Sequence, residues 1–192
     1  MITVYDDYLP KEAHNVILTH FTESKISWHY EESVNGRPGE EDNLNNYQLV
    51  HEFFHAQKVD NPSKETTWLM PLLACMPIYY LLRLKMNLNP RCPEQWVSDF
   101  HTDTRDLNNL TSIYYLNTNN GATVFETGDK VDSIANRLVT FPSHMKHAAM
   151  MCTDTKARFV LNINYFPTKD GSKTQGVSPL SPVVLNDPAL KF

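Results

Sequence analysis

From Leu81 onward the chain reads as strand after strand, and that succession limits its fold more than any other feature. The segments "LLRLKMNL", "WVSDFH", "TSIYYLN", "ATVFE", "RLVTF", "HAAMM" and "ARFVLNINYF" are short and rich in β-branched and aromatic residues. Turn sequences such as Asn119-Asn120-Gly121 and Thr127-Gly128-Asp129 separate them. The preceding half predicts helices instead. Pro10 suits a first helical turn, and Val16, Ile17 and Phe21 share a face of a helix over about residues 10–22. "NLNNYQLVHEFFHA" reads as a strand, after which Ser63 caps a helix through Trp68, Leu69, Leu72, Leu73 and Met76. Helices first and many short strands after predict an α+β, mainly β chain. The expected architecture is a two-sheet jelly roll with the N-terminal helices packed on the outer face of one sheet.

A chain of 192 residues is long enough for one domain with a real core. We expect a single domain over residues 1–192, with a core over 81–166 and an extended arm over 167–192 carrying Pro179, Pro182 and Pro188. The net charge of −5 argues against a nucleic-acid partner, which needs a basic face. The start "MITVYDDYLP" has no basic or apolar leader region, so a cytoplasmic protein is expected. The longest apolar run is broken by Pro71 and Pro77 and followed by Arg83, which reads as core and not as a membrane span. Cys75, Cys92 and Cys152 show no CxxC spacing and read as free thiols of a reducing compartment.

The chemistry concentrates in "VSDFHTD". Residues i and i+2 of a strand share a face, so the His101 imidazole and the Asp103 carboxylate project side by side. A histidine from a distant strand would complete two imidazoles and one carboxylate. That set occupies one face of an octahedral Fe(II) ion and leaves the other positions open. His144 and His147 in "FPSHMKHAAM" are the candidates; His147 is preferred because it begins a strand, whereas His144 sits in the turn. In "RFVLNINYF", Phe159, Leu161, Ile163 and Tyr165 form an apolar face, while Arg158, Val160, Asn162 and Asn164 form the other. The second face should line a wet cavity, where the Arg158 guanidinium can hold a carboxylate. Of the adjacent tyrosines, Tyr115 shares a face with Ile113 and is the candidate to reach that carboxylate. Arg83, Lys85 and Asn87 alternate with apolar neighbours and are expected to rim the same cavity.

A competing motif is His51-Glu52-Phe53-Phe54-His55, which matches the HExxH zinc-protease signature. That chemistry needs a helix, which brings the histidines one turn apart. The segment has no N-cap and favours a strand, in which the two imidazoles would lie about 13 Å apart.

The run "FHTD … TSIYYLN … GATVFE … RLVTFPS … H … R" resembles the Fe(II)- and 2-oxoglutarate-dependent oxygenases of the prolyl 4-hydroxylase-like branch. It is also similar to small members of that superfamily carried by tailed bacteriophages. The likeness covers residues 81–166 well and the N-terminal half in outline. It implies a double-stranded β-helix, an iron triad of His101, Asp103 and His147, and a 2-oxoglutarate anchor at Arg158 aided by Tyr115. The implied cofactors are Fe(II) and 2-oxoglutarate, with ascorbate as an accessory reductant. The implied reaction hydroxylates a C–H bond of a peptide, a prolyl residue by default, or of a small molecule, and releases succinate and CO2. A non-catalytic metal-binding jelly-roll module is the alternative. Two positions depart from the pattern: Val160 stands where many members carry a serine, and Asn164 where the nucleic-acid-demethylating branch carries a second arginine.

Overall fold

The computed structural model describes residues 1–23, 26–34, 43–58, 62–169 and 171. Most of the expected C-terminal arm over 167–192 lies outside them. The elements run β1 (Thr3–Tyr5), α1 (Lys11–Glu23), β2 (His29–Glu31), β3 (Gln48–His55), a 3-10 helix (Lys64–Leu69), α2 (Met70–Leu73), β4 (Ile78–Pro90), β5 (Leu110–Tyr115), β6 (Ala122–Phe125), β7 (Lys130–Asp132), β8 (Arg137–Pro142), β9 (His147–Met150) and β10 (Ala157–Pro167). A seven-stranded sheet has the order β1-β8-β5-β10-β4-β3-β2, and a three-stranded sheet the order β7-β6-β9. The pairs are antiparallel. This is the expected mainly β jelly roll, with the helices on one face of the large sheet.

Alternation along the two central strands builds both layers. On β10, Leu161, Ile163 and Tyr165 enter the main core beside Leu84 and Met86 of β4, and α1 seals that core with Ile17 and Phe21. Each fully buried aliphatic or aromatic side chain of this kind stabilises the fold by about 1.5–3 kcal/mol. The opposite face of β10 carries Arg158, Val160 and Asn162 into a cavity between the sheets. β10 pairs Arg158 with Asn89, Asn162 with Lys85 and Asn164 with Arg83, which lays the polar residues of β4 beside its own. A smaller apolar cluster with Ile113, Tyr115, Phe125 and Val160 joins the two sheets.

Two local expectations are corrected, and the strand expected at HExxH forms with a bulge. The helix capped by Ser63 begins as a 3-10 helix, with Ser63 Oγ accepting from Glu65 N at 3.3 Å, and becomes a short α-helix at Met70. Pro71 supplies no amide hydrogen and is tolerated at that fresh helix start. The segment "WVSDFH" is not a strand; it touches β9 through isolated bridges, Val97 to Met150 and His101 to His147. Between them Ser98 N donates to Ala149 O at 2.9 Å, but Ala149 N donates back to the Ser98 hydroxyl at 3.1 Å. A side chain thus replaces a carbonyl in the ladder and breaks it. In HExxH, a bulge between Glu52 and Phe54 pairs His51 with Met86 of the core and His55 with Arg83 of the other face. The two imidazoles therefore do not share a face. His51 is instead a buried strut, with Nδ1 2.7 Å from Ser27 O and Nε2 3.0 Å from Ser63 Oγ. No helix among the described residues is long and apolar enough to cross a membrane.

Candidate metal centre and its cavity

His101, Asp103 and His147 converge, their ligand atoms all within 4.8 Å of one another. The irregular segment ending at Asp103 is pinned against the start of β9 by two reciprocal backbone bonds, His101 N to His147 O and His147 N to His101 O, each 3.0 Å. The imidazole rings lie 4.6 Å apart between centroids, tilted at 46°. His147 Nε2 lies 3.9 Å from Asp103 Oδ2, and His101 Nε2 lies 4.0 Å from Asp103 Oδ1. Neighbouring ligands of one ion at about 2.1 Å lie about 3 Å apart, so the three groups would draw together by about 1 Å around a metal. A carbonyl can only accept, so the 3.0 Å contact from His147 Nδ1 to Met145 O places the proton on Nδ1. The weaker 3.4 Å contact of His101 Nδ1 with Asp99 O acts the same way. In both rings the Nε2 lone pair is left facing the carboxylate, the orientation a metal ligand needs. His144 is exposed and outside the cluster.

Asp103 is held by residues that the sequence reading did not assign. Thr111 Oγ1 donates to its Oδ2 at 2.7 Å and lies 2.9 Å from Ser143 Oγ; Asn164 Nδ2 donates to the same Oδ2 at 2.9 Å. Burial alone would raise the Asp103 pKa; His147, the Thr111 hydrogen bond, Arg83 and His101 outweigh it and hold the group below its ordinary value. The carboxylate stays ionised and oriented. Asn164, at the position of the missing second arginine, therefore acts on a candidate ligand.

The cluster opens on a cavity of about 270 Å³ lined also by Arg158, Arg83, Lys85, Asn87, Asn89 and Asn162. Arg158 is 2% exposed. Its Nε donates to Ser133 Oγ at 2.9 Å, and longer contacts of 3.3–3.4 Å run to Asn89 Oδ1, Ala122 O and Thr123 Oγ1. Burial pulls its pKa down, and no carboxylate pairs with it among the described residues. A buried cation without a counter-ion is costly unless an anion joins it, and the long contacts are readily exchanged for one. A Cβ at Gly121 would lie 2.7 Å from Met150 O and 2.9 Å from Arg158 Cδ, so the missing side chain there makes room for the arginine. Tyr115 supports Arg158 from below. The guanidinium carbon sits 5.6 Å from its ring centroid, and its hydroxyl donates to Thr123 Oγ1 at 2.7 Å. The phenol does not line the cavity, contrary to the expected direct contact with a carboxylate.

The donor set fits a divalent metal with two nitrogens and one oxygen, and Arg158 lines the same cavity. No family model matches the chain, and none of the curated proteins matches it. Solved structures do. A prolyl hydroxylase from Trichoplax adhaerens, in complex with a hypoxia inducible factor oxygen degradation domain peptide fragment, aligns with a TM-score of 0.58 and 12% identity, over 86% of this chain and 83% of that one. A Pseudomonas putida prolyl-4-hydroxylase aligns with a TM-score of 0.53 and 13% identity, over 86% and 92%. An oxidoreductase of the 2OG-Fe(II) oxygenase family from Burkholderia pseudomallei aligns with a TM-score of 0.54 and 7% identity, over 90% and 89%. The chain has the fold of the 2OG-Fe(II) oxygenases, prolyl hydroxylases among them.

Proposed function

We propose that the protein is an Fe(II)- and 2-oxoglutarate-dependent oxygenase that hydroxylates a C–H bond of a peptide or small molecule, with release of succinate and CO2. The observation that carries this reading is a buried arginine without an acidic partner, in the same cavity as a His-Asp-His cluster. His101, Asp103 and His147 would hold the iron. When bound, the iron and 2-oxoglutarate supply the oxidation of the substrate; the chain supplies position and shelter. Thr111 and Asn164 fix the Asp103 carboxylate, and the Nδ1 contacts fix both imidazoles. Arg158 would pair with the far carboxylate of 2-oxoglutarate through charge-assisted hydrogen bonds, with Tyr115, Ser133 and Thr123 holding the guanidinium in place. Val160 and Ile113 give the otherwise polar cavity wall an apolar stretch. The experiment is succinate formation from 2-oxoglutarate by the iron-loaded protein. Turnover that depends on Fe(II) and vanishes in Asp103→Ala supports the reading; its absence with every metal and substrate tried would refute it.

A further inference from the structure

The metal end of the cavity carries a guanidinium that nothing there neutralises. Arg83 of β4 lines the cavity and is the cross-strand partner of Asn164, whose amide holds the Asp103 carboxylate. It therefore stands beside the cluster, and its charge is one of those that hold the Asp103 pKa down. On its other side it pairs with His55 of β3, which is no anion. Arg83 makes no ion pair among the described residues, and its Nε is buried without a hydrogen-bond partner among them. Buried polar atoms are nearly always satisfied, so this orphan marks a missing acceptor. Lys85, two residues on and on the same face, differs: its ammonium donates to Glu31 Oε2 at 3.4 Å. Arg158, at the far end, is held by Ser133, Asn89, Ala122 and Thr123.

Charge decides when that acceptor arrives. With the proton on Nδ1 and a lone pair on Nε2 both imidazoles are neutral, so Asp103 is the cluster's single negative charge. A divalent metal there leaves one positive charge in excess, and Arg83 beside it makes two. Cations that share a poorly hydrated site repel one another more strongly than they would in water. Arg83 therefore opposes the metal alone and favours an anion that comes with it. A carboxylate on the metal would pair with Arg83 through charge-assisted hydrogen bonds, satisfy the orphaned Nε and cancel part of the excess charge. By register Lys85, Asn162, Asn87 and Val160 lie between Arg83 and Arg158. A diacid laid along that path meets one guanidinium at each end. Arg158 takes the far carboxylate, so the one next to the metal falls to Arg83.

We propose that Arg83 binds the metal-bound carboxylate of 2-oxoglutarate and thereby couples the two ligands, iron being held weakly until the co-substrate brings the charge that Arg83 lacks. The proposal rests on the oxygenase reading above. It is tested on the full chain under anaerobic conditions. Fe(II) affinity is measured by competition with a colorimetric chelator, in the absence of any 2-oxo acid. The iron-loaded protein is then titrated with 2-oxoglutarate, or with 2-oxobutyrate, which lacks the far carboxylate, while the charge-transfer band of the chelated iron is followed. Arg83→Gln should bind iron alone about threefold more tightly, since a repelling charge is gone. Its affinity for 2-oxoglutarate should nevertheless fall by about tenfold or more. 2-Oxobutyrate should lose as much in Arg83→Gln and less than about twofold in Arg158→Ala, which removes only the far contact. Arg83→Lys keeps the charge without the fork and should recover part of the loss. A role confined to steadying Asp103 predicts the reverse, with iron alone held more weakly in Arg83→Gln; that result overturns the proposal and leaves the oxygenase reading standing. So does an unaltered affinity of Arg83→Gln for 2-oxoglutarate. Absence of the band in the unaltered protein would instead overturn the oxygenase reading, and the proposal with it.

Discussion

The two ends of the cavity are both cationic and are built in opposite ways. At one end Arg158 is buried, propped by Tyr115, and held by Ser133, Asn89, Ala122 and Thr123. Its side chain passes where Gly121 leaves room, so its position is set before any ligand arrives. At the other end Arg83 and Lys85 are half-buried, and amide oxygens beside them lack partners. A fixed cation suits a ligand used at every turnover, because little ordering remains to be done on binding. An unpaired guanidinium suits a carboxylate that arrives with the metal's own ligand. The contrast teaches that charge alone does not distinguish the two roles; the completeness of the surrounding hydrogen bonds does.

The metal cluster, beside Arg83, gives the largest expected effect. Asp103→Ala and His147→Ala should each abolish stoichiometric iron binding, measured by metal analysis after dialysis, while the exposed His144→Ala stays near the unaltered protein. Metal loss in His144→Ala, with normal content in His147→Ala, would move the third ligand. Next comes the room left for Arg158. Gly121→Ala forces a Cβ to within 2.7 Å of a backbone oxygen and 2.9 Å of Arg158 Cδ. Overpacking of that kind costs about 1–3 kcal/mol, to be read from urea unfolding, and 2-oxoglutarate affinity should fall with it. A substitution without effect on either would mean that the fixed end is not fixed by packing. Tyr115→Phe removes the bond to Thr123 Oγ1 and keeps the ring beside the guanidinium. Stability should therefore fall by about 0.5–1.5 kcal/mol and the 2-oxoglutarate affinity by less than that, well short of removing the arginine.

The smallest effect lies on the opposite face of the sheet and should leave both ends untouched. His14 of α1 is buried, with Nδ1 2.7 Å from Tyr114 Oη. Burial holds its pKa below the ordinary 6.5. The unfolded chain therefore takes up the proton first as pH falls. The stability His14 carries at neutral pH should be lost as pH drops below 6.5 toward the lower folded value. In His14→Gln that part of the pH dependence of unfolding should disappear, with 2-oxoglutarate binding unaltered. An identical pH dependence in the variant would contradict the assignment.

Much of this was legible where one strand's own pattern decides the outcome. Strict alternation on β10 separated Arg158 and Asn162 from Leu161 and Ile163 without knowledge of the partners. A turn followed by a strand pointed to His147 over His144, whereas His101 and Asp103 meet although the strand assumed for them does not form: backbone bonds to His147 and Ser143 hold that segment in place. Features set by distant segments were hidden. The bulge that turns His55 away from His51 depends on pairing with β4, and the Ser98 hydroxyl that interrupts the ladder acts on β9. Thr111 and Asn164 meet Asp103 through register, as Ser133 and Asn89 meet Arg158. Polar residues on a strand announce a cavity, but not which of them will be satisfied within it.

The central claim is that the iron cluster and Arg158 together bind 2-oxoglutarate. Titrating 2-oxoglutarate into the anaerobic Fe(II) protein, while following the metal-to-ligand charge-transfer band, tests it most directly. The unaltered protein should show a saturable band. Arg158→Ala should keep its iron and lose affinity by roughly ten- to several-hundred-fold, and Arg158→Lys should recover part of that, since an ammonium cannot reproduce the guanidinium fork. An unaltered affinity in Arg158→Ala, or no band in the unaltered protein, would contradict the account.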